Sequence, residues 1–246
     1  MIKILTSYIK QRYNLKLQLP LIVFLMLYGI NQTTDFTSGR RTLFLLIPLL
    51  LISFLAFRIF DDLVSRKDDG DKPERIHTKE QAVLPLSLLC FTLFLMSIIF
   101  TKFLLEEFFI YFLATILIGL LPYLIRLCST RINFVLPLVK YGAFTLFICS
   151  VFNPITSIEI MNSIALIFAF TQYEILEDEK LNKFRKNIQW LFWSMVLIFI
   201  IPVPEYYVYM LVISILTYLT WIIKPMKYMH FYVLLLALIL KNMLYV

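Results

Sequence analysis

Long apolar segments follow one another along almost the whole chain, and they restrict the fold more than any other feature. Of the 246 residues, 61% are hydrophobic and only 16% are charged. A soluble domain is about one quarter charged, so this chain lacks the polar residues that would cover a water-facing surface. Because a helix needs about 20 apolar residues to cross the hydrocarbon core, we expect an integral membrane protein in a lipid bilayer.

The hydropathy pattern predicts an all-α, polytopic membrane helix bundle of about nine transmembrane helices, forming one integral membrane domain over residues 1–246. Glycine is scarce, with 5 residues, and no period-two alternation runs over ten-residue blocks, which argues against a membrane β-barrel. The charged N-terminal segment lacks a cleavage site and is interpreted as an amphipathic lead-in, not a signal peptide. The predicted spans are 17–31, 43–60, 83–101, 104–125, 133–151, 157–175, 187–201, 205–223 and 227–245.

The basic residues give the predicted bundle an orientation. With the N-terminus in the cytoplasm, 18 of the 23 Lys and Arg residues fall on the cytoplasmic side of a cell (inner) membrane and four on the other side. Lys140 is the remaining one and lies inside the fifth span. This asymmetry follows the positive-inside rule. The net charge of +7 therefore reflects topology, and we do not expect nucleic acid as a partner.

Acidic residues concentrate in two predicted cytoplasmic loops, at about 58–80 after span two and 171–186 after span six. Read as helices, both loops carry a stripe of carboxylates on one face, since the acids recur at steps of three, four, seven or eight. Two such stripes repel unless divalent cations bridge them to a polyanion, and Mg²⁺ prefers one or two carboxylates plus phosphate oxygens. The alternative is a pair of solvated loops whose acids and bases neutralise one another.

Three short patterns lie at the ends of spans two, four and six. They read Arg58-Ile-Phe-Asp61-Asp62 continuing to Asp68-Asp69 and Pro73-Glu74-Arg75, then Leu121-Pro122-Tyr123-Leu124-Ile125-Arg126, then Thr171-Gln172-Tyr173 continuing to Glu177 and Glu179. Together with the nine-span layout, these patterns resemble the motifs of the UbiA-type intramembrane prenyltransferase superfamily. The chain is similar to a divergent member, and its layout resembles the family over nearly its whole length.

The chain departs from the motifs of this family at several positions. Ser65 stands where the first motif has its middle carboxylate or amide, and Phe170 replaces the leading Asp of the second motif. Glu174 occupies a small-residue position, and Glu177 replaces an Asp. Glu retains the oxygen ligands that Mg²⁺ prefers, and Glu174 lies one helical turn from Phe170, where it can compensate.

The resemblance implies an enzyme that moves an isoprenyl group from a prenyl diphosphate to an aromatic or lipid-like acceptor, after Mg²⁺-assisted ionisation of the diphosphate. The implied catalytic residues are Asp61, Asp62, Glu174 and Glu177. The implied diphosphate-binding residues are Arg58, Arg75, Arg126 and Lys180. The implied Mg²⁺ ligands are Asp61, Asp62, Asp68, Asp69, Glu174, Glu177 and Asp178.

Two alternatives remain open from the sequence. A UbiA-type membrane terpene cyclase would use the same ionising site, with the substrate's own double bonds capturing the cation and no acceptor. A non-catalytic membrane transporter or scaffold would keep the hydropathy pattern but would have no need for paired acids on one side of the membrane.

The predicted topology can be tested with reporter fusions. We expect fusions placed after Lys72 and after Lys183 both to report a cytoplasmic location, because both loops carry the basic residues that are retained inside. A periplasmic signal at either site would separate the two acidic loops and would contradict the shared site.

Overall fold

The computed structural model of the chain is helical throughout the residues that it describes. The chain divides into two compact units, Met1–Met26 with Asp35–Ala114 and Leu27–Thr34 with Thr115–Val246. The single membrane domain stays a prediction. The structure describes residues 2–13, 36–67, 74–128 and 138–152, together with 18–19, 21–23, 25–26, 155, 157, 159–160, 163–164, 166–167 and 170.

The continuous described stretches contain α-helices joined by short 3₁₀ turns. The α-helices are α1 (Ile2–Arg12), α2 (Phe36–Val64), α3 (Glu80–Leu104), α4 (Phe109–Cys128) and α5 (Val139–Phe152). The 3₁₀ turns are Ser65–Lys67 and Ile76–Thr78, between α2 and α3, and Glu106–Phe108, before α4.

Three helical segments are long and apolar enough to cross a membrane. They are Thr42–Val64, Glu80–Leu104 and Glu106–Tyr123. They coincide with the second, third and fourth predicted spans, so the prediction of membrane-length helices is confirmed for this part of the chain. The shorter apolar helix α5 (Val139–Phe152) overlaps the fifth predicted span. The other predicted spans lie wholly or partly outside the described residues, and the number nine stays a prediction.

The helix that holds the first acidic motif is longer than its predicted span. Helix α2 continues to Val64, beyond the expected end of the span at residue 60, so Arg58, Asp61 and Asp62 are helical. The α-helix then gives way to the 3₁₀ turn at Ser65. The predicted α-helical face of carboxylates therefore ends before Ser65, and Asp68 and Asp69 lie outside the described residues.

Helices α2 and α3 form an antiparallel pair that carries the core of the first unit. The Phe57 and Phe94 rings meet edge to face, with their centroids 5.1 Å apart. Near them the Cys90 thiol donates to the carbonyl of Ala56 across 3.5 Å. Helix α1 packs onto this pair through Tyr8. The buried cluster that joins the three helices consists of Tyr8, Ile59, Ala82, Leu86 and Cys90.

The outward face of α3 is apolar. Leu84, Phe91 and Phe103 are 69%, 68% and 79% exposed within the chain. A helix on the surface of a soluble protein places charged and polar residues on that face. In α3 the charges stand at the ends, with Glu80 in the first turn and Lys102 in the last, where both complement the helix dipole. This distribution is typical of a helix whose outer solvent is lipid.

In the second unit, close packing around Gly142 brings α5 against the segment that contains Ser163 and Ile167. The Ser163 hydroxyl donates to the Gly142 carbonyl across 3.0 Å, and the Tyr141 ring stacks on Phe170 at 4.3 Å. Small residues allow such close approach between membrane helices.

We expect Gly142→Ala to destabilise the second unit. An added Cβ would meet the Cδ1 and Cγ1 atoms of Ile167 at 2.6 and 2.8 Å and the carbonyl oxygen of Ser163 at 3.1 Å. Overpacking of this kind costs about 1–3 kcal/mol. Thermal unfolding in detergent should show a lower midpoint for Gly142→Ala and partial recovery when Ile167→Ala is added. No recovery in the double variant, with Ile167→Ala alone as control, would contradict the contact.

Candidate functional site

A buried carboxylate, that of Asp62, lies at the C-terminal end of α2. Its residue is only 1% exposed. The Arg12 guanidinium contacts both of its oxygens, donating from Nε to Oδ2 at 2.9 Å and from Nη2 to Oδ1 at 2.6 Å. The Tyr8 hydroxyl donates to Oδ2 at 2.8 Å. Bidentate, charge-assisted hydrogen bonds are among the strongest in proteins, so Asp62 holds α1 firmly against α2.

Two further side chains complete the arrangement. Arg58 precedes Asp62 by one helical turn, and its Nη2 lies 3.6 Å from Oδ1 of that carboxylate. His77, from the 3₁₀ turn Ile76–Thr78, is fully buried, and its Nδ1 lies 3.8 Å from Oδ2. We refer to Tyr8, Arg12, Arg58, Asp62 and His77 as the Asp62 cluster.

The local sequence of α2 explains why this carboxylate needs a partner from another helix. An acidic side chain near a helix C-terminus faces the negative end of the helix dipole. The last turn of α2 contains no basic residue. Arg58, one helical turn earlier, is an i,i+4 neighbour of Asp62, but its Nη2 lies 3.6 Å from Oδ1, beyond hydrogen-bond distance. The missing positive charge comes instead from Arg12 at the end of α1.

Further hydrogen bonds fix the connection between α2 and α3 beside the cluster. The Gln11 side-chain amide donates to the Glu74 carbonyl and accepts from the Ile76 backbone N–H, both at 3.1 Å. From the other side, Arg66 Nε donates to the carbonyl of Thr78 at 3.2 Å. The turn that supplies His77 is therefore held by α1 and by the 3₁₀ turn that follows α2.

Burial changes the acidity of the two tyrosines that flank Arg12. Removal from water, reinforced by the nearby negative charge of Asp62, raises the pKa of Tyr8 far above its usual range. Tyr8 therefore remains a hydrogen-bond donor at any physiological pH. Burial also raises the pKa of Tyr13 to about 12, and its hydroxyl donates to the Leu51 carbonyl at 2.8 Å.

The Asp62 cluster holds more positive than negative charge. Arg12 neutralises the single carboxylate, and Arg58 adds a second guanidinium next to it. The side chain of Arg58 is 36% exposed, and its buried Nε has no hydrogen-bond partner among the residues that the structure describes. Since Arg presents several donors in a fork that matches phosphate oxygens, this guanidinium is positioned to receive an anion from its exposed side.

The structure brings together only some of the predicted site residues. Arg58 and Asp62 meet in the cluster, whereas the partly exposed Asp61 follows a different direction around α2, about 100° away. Arg75 is partly exposed at the start of the 3₁₀ turn, and its carbonyl accepts from the Thr78 hydroxyl. Arg126 lies in α4. The remaining predicted residues, Asp68, Asp69, Glu174, Glu177, Asp178 and Lys180, lie outside the described residues.

The described residues do not by themselves form the Mg²⁺ site that the family resemblance implies. Among them, no three His, Cys, Asp or Glu side chains stand together as a metal would require. Both oxygens of Asp62 accept hydrogen bonds from Arg12 and Tyr8. Asp61 is the described member of the predicted ligand set that lies outside the Asp62 cluster.

Sequence reasoning missed three members of the cluster, Tyr8, Arg12 and His77. Arg12 counts only among the basic residues that set the predicted topology, and His77 falls within the predicted loop at about 58–80. The available signal was the spacing of Tyr8 and Arg12, which places both on one face of an amphipathic helix. That signal identifies a docked face but gives no partner 50 residues further along the chain.

Comparisons with known proteins found no relative of this chain. No protein-family model, curated protein or solved structure matches the chain. The function of the cluster must follow from its own chemistry and from the motifs in the sequence.

We expect Arg12→Met to destabilise the first unit strongly. Removing one partner of a buried ion pair costs about 3–5 kcal/mol, because the remaining buried charge loses its hydrogen-bonded partner. The matched control is Lys102→Met, which breaks the exposed pair between Lys102 and Glu106 (2.6 Å); such surface pairs contribute about 0–1 kcal/mol. Unfolding of the purified protein in detergent should separate the two variants, and equal losses would show that the Asp62 cluster does not stabilise the unit.

Proposed function

We propose that this chain is a multi-pass membrane enzyme of the UbiA type, with its N-terminus in the cytoplasm. It would transfer an isoprenyl group from a prenyl diphosphate to a hydrophobic acceptor. The observation that carries the proposal is the Arg58 guanidinium. It stands beside an already neutralised carboxylate at the end of a membrane-length helix, within the motif that resembles the first motif of that family.

The electrostatics of the Asp62 cluster favour an anionic ligand. A carboxylate without a partner would repel a diphosphate, but Arg12 cancels the charge of Asp62. Arg58 then contributes a net positive charge, and a guanidinium binds phosphate oxygens in bidentate fashion. In the proposed reaction, Arg58 binds the diphosphate and stabilises the negative charge that develops on the departing group.

The position of the cluster suits a substrate with a charged head and an apolar tail. Asp62 lies at the last residues of Thr42–Val64, a segment apolar enough to cross a membrane. A diphosphate bound at this end would leave its isoprenyl chain alongside apolar helix surfaces or lipid. A water-soluble anion would gain only its contacts with Arg58, whereas a prenyl diphosphate also gains the transfer of its tail from water.

The proposed reaction balances without a redox partner. The bond between the allylic carbon and the diphosphate oxygen breaks, and its electron pair leaves with the oxygen. The acceptor then forms a bond to that carbon and releases a proton. When bound, Mg²⁺ supplies positive charge to the departing diphosphate; Asp61 and the predicted carboxylates outside the described residues are the groups proposed to hold it.

Turnover of prenyl diphosphates by the purified chain tests this function. We expect pyrophosphate release from geranylgeranyl or farnesyl diphosphate with Mg²⁺ and a membrane lipid extract as acceptor, and loss of activity on chelation. Arg58→Gln and Asp61→Asn should each lower the rate by about 10²–10³-fold, as for other groups that stabilise a developing charge. Glu106→Gln is the matched control, because α3 with its 25 residues places it roughly 36 Å from the Asp62 end.

The same assay separates the alternatives. A cyclised hydrocarbon or alcohol formed without acceptor would replace the transferase by a terpene cyclase. Absence of both turnover and pyrophosphate binding in the wild-type protein would reject the enzyme and favour a transporter or scaffold.

A further inference from the structure

We propose that Asp62 is a positioning residue and not a metal ligand: through Arg12 it fastens the N-terminal helix, and this contact keeps Arg58 available for an anion. What the proposal says of the anion rests on the proposed function. What it says of helix α1 does not, because it follows from the contacts within the first unit alone.

The Asp62 carboxylate has little capacity left to bind a metal ion. An ionised carboxylate offers about four lone-pair positions. Three are used by the two hydrogen bonds from Arg12 and the one from Tyr8, and the residue is 1% exposed. A metal ion would have to displace the guanidinium and would leave Arg12 without its counterion. Asp61 is partly exposed, so this limit on metal binding does not apply to it.

Helix α1 is held by contacts of Tyr8, Gln11 and Arg12. Tyr8 is buried, Gln11 binds the backbone of the turn that leads to α3, and Arg12 forms hydrogen bonds to the charged carboxylate of Asp62. Hydrogen bonds to charged groups contribute more than neutral ones. The pair is therefore the main polar contact that holds α1, and its loss should loosen the helix.

Arg12 and Arg58 compete for the Asp62 carboxylate. Arg12 Nη2 lies 2.6 Å from Oδ1 of Asp62, whereas Arg58 Nη2 lies 3.6 Å from the same oxygen, beyond hydrogen-bond distance. Arg58 therefore keeps its hydrogen-bond donors available for an anion. If Arg12 were absent, the Arg58 side chain, which lies on the same helix as Asp62, could move the remaining distance and pair with the carboxylate. Its donors would then be lost to an incoming anion.

A double-mutant cycle on the full-length chain tests this competition, with inorganic pyrophosphate as the probe and titration calorimetry as the measurement. We expect Arg12→Met to weaken pyrophosphate binding about tenfold, because Arg58 collapses onto Asp62. We expect Asp62→Asn and the double variant Arg12→Met/Asp62→Asn to bind within about threefold of wild type, since the competing charge is gone. Lys102→Met serves as the control and should bind like wild type.

Amide hydrogen exchange of residues 2–12, measured on the same proteins, reports the fastening of α1. Asp62→Asn should speed exchange in this helix by about tenfold or more, and Tyr8→Phe, which removes one hydrogen bond and keeps the charges, should give a smaller increase. Tyr8→Phe also keeps the test decisive if Asp62→Asn does not fold. Lys102→Met should leave the exchange of α1 unchanged.

The metal assignment is tested with Mn²⁺ alone, whose binding is followed by electron paramagnetic resonance. Asp61→Asn should weaken Mn²⁺ binding and Asp62→Asn should not. Loss of Mn²⁺ binding in Asp62→Asn with unchanged exchange of α1 would make Asp62 a metal ligand and overturn the proposal.

Two further outcomes would overturn the competition between the arginines or the proposed function. A double variant that binds pyrophosphate as weakly as Arg12→Met would show that Arg12 contacts the anion itself and would overturn the competition. A wild-type chain that neither binds pyrophosphate nor turns over a prenyl diphosphate would reject the proposed function. In that case exchange in α1 alone confirms or rejects the fastening.

Discussion

The bidentate contact between Arg12 and Asp62 is the interaction on which the described part of the first unit depends. A buried carboxylate is tolerated only when its charge is compensated, and here the compensation comes from a different helix. The contact therefore joins α1 to α2 while it satisfies an acid that α2 could not accommodate alone. Tyr8 and Gln11 extend the same surface, so that α1, the end of α2 and the turn before α3 form one polar assembly.

This polar assembly and the apolar helices have different roles in the first unit. Along α2 and α3, apolar side chains pack on one another and leave an outward face that suits lipid. Charge is confined to the helix ends, where desolvation is less costly than in the middle of a bilayer. A guanidinium such as that of Arg58 can stand at such an end without destabilising the membrane segment, and a ligand with a charged head and an apolar tail would meet both environments there.

Hydropathy was sufficient to predict the membrane-length helices, because apolar runs in α2, α3 and α4 are long and interrupted only near their ends. The reading of the first acidic loop as a helix agrees with α2 as far as Val64. The partners of Asp62 could not be predicted, because Arg12 lies 50 residues earlier and its charge already had an explanation in topology. Motif resemblance predicts Asp62 as a Mg²⁺ ligand; in the described contacts its oxygens accept hydrogen bonds from Arg12 and Tyr8.

The separation of Arg12 and Asp62 along the chain has a consequence for biosynthesis. Arg12 leaves the ribosome long before Asp62, and His77 follows later still, so α1 cannot dock while the first apolar segments are being inserted. Until Asp62 and the turn after α2 have been synthesised, α1 lacks the polar surface onto which it docks. The N-terminal helix, first to be translated, is therefore among the last elements of its unit to reach its place.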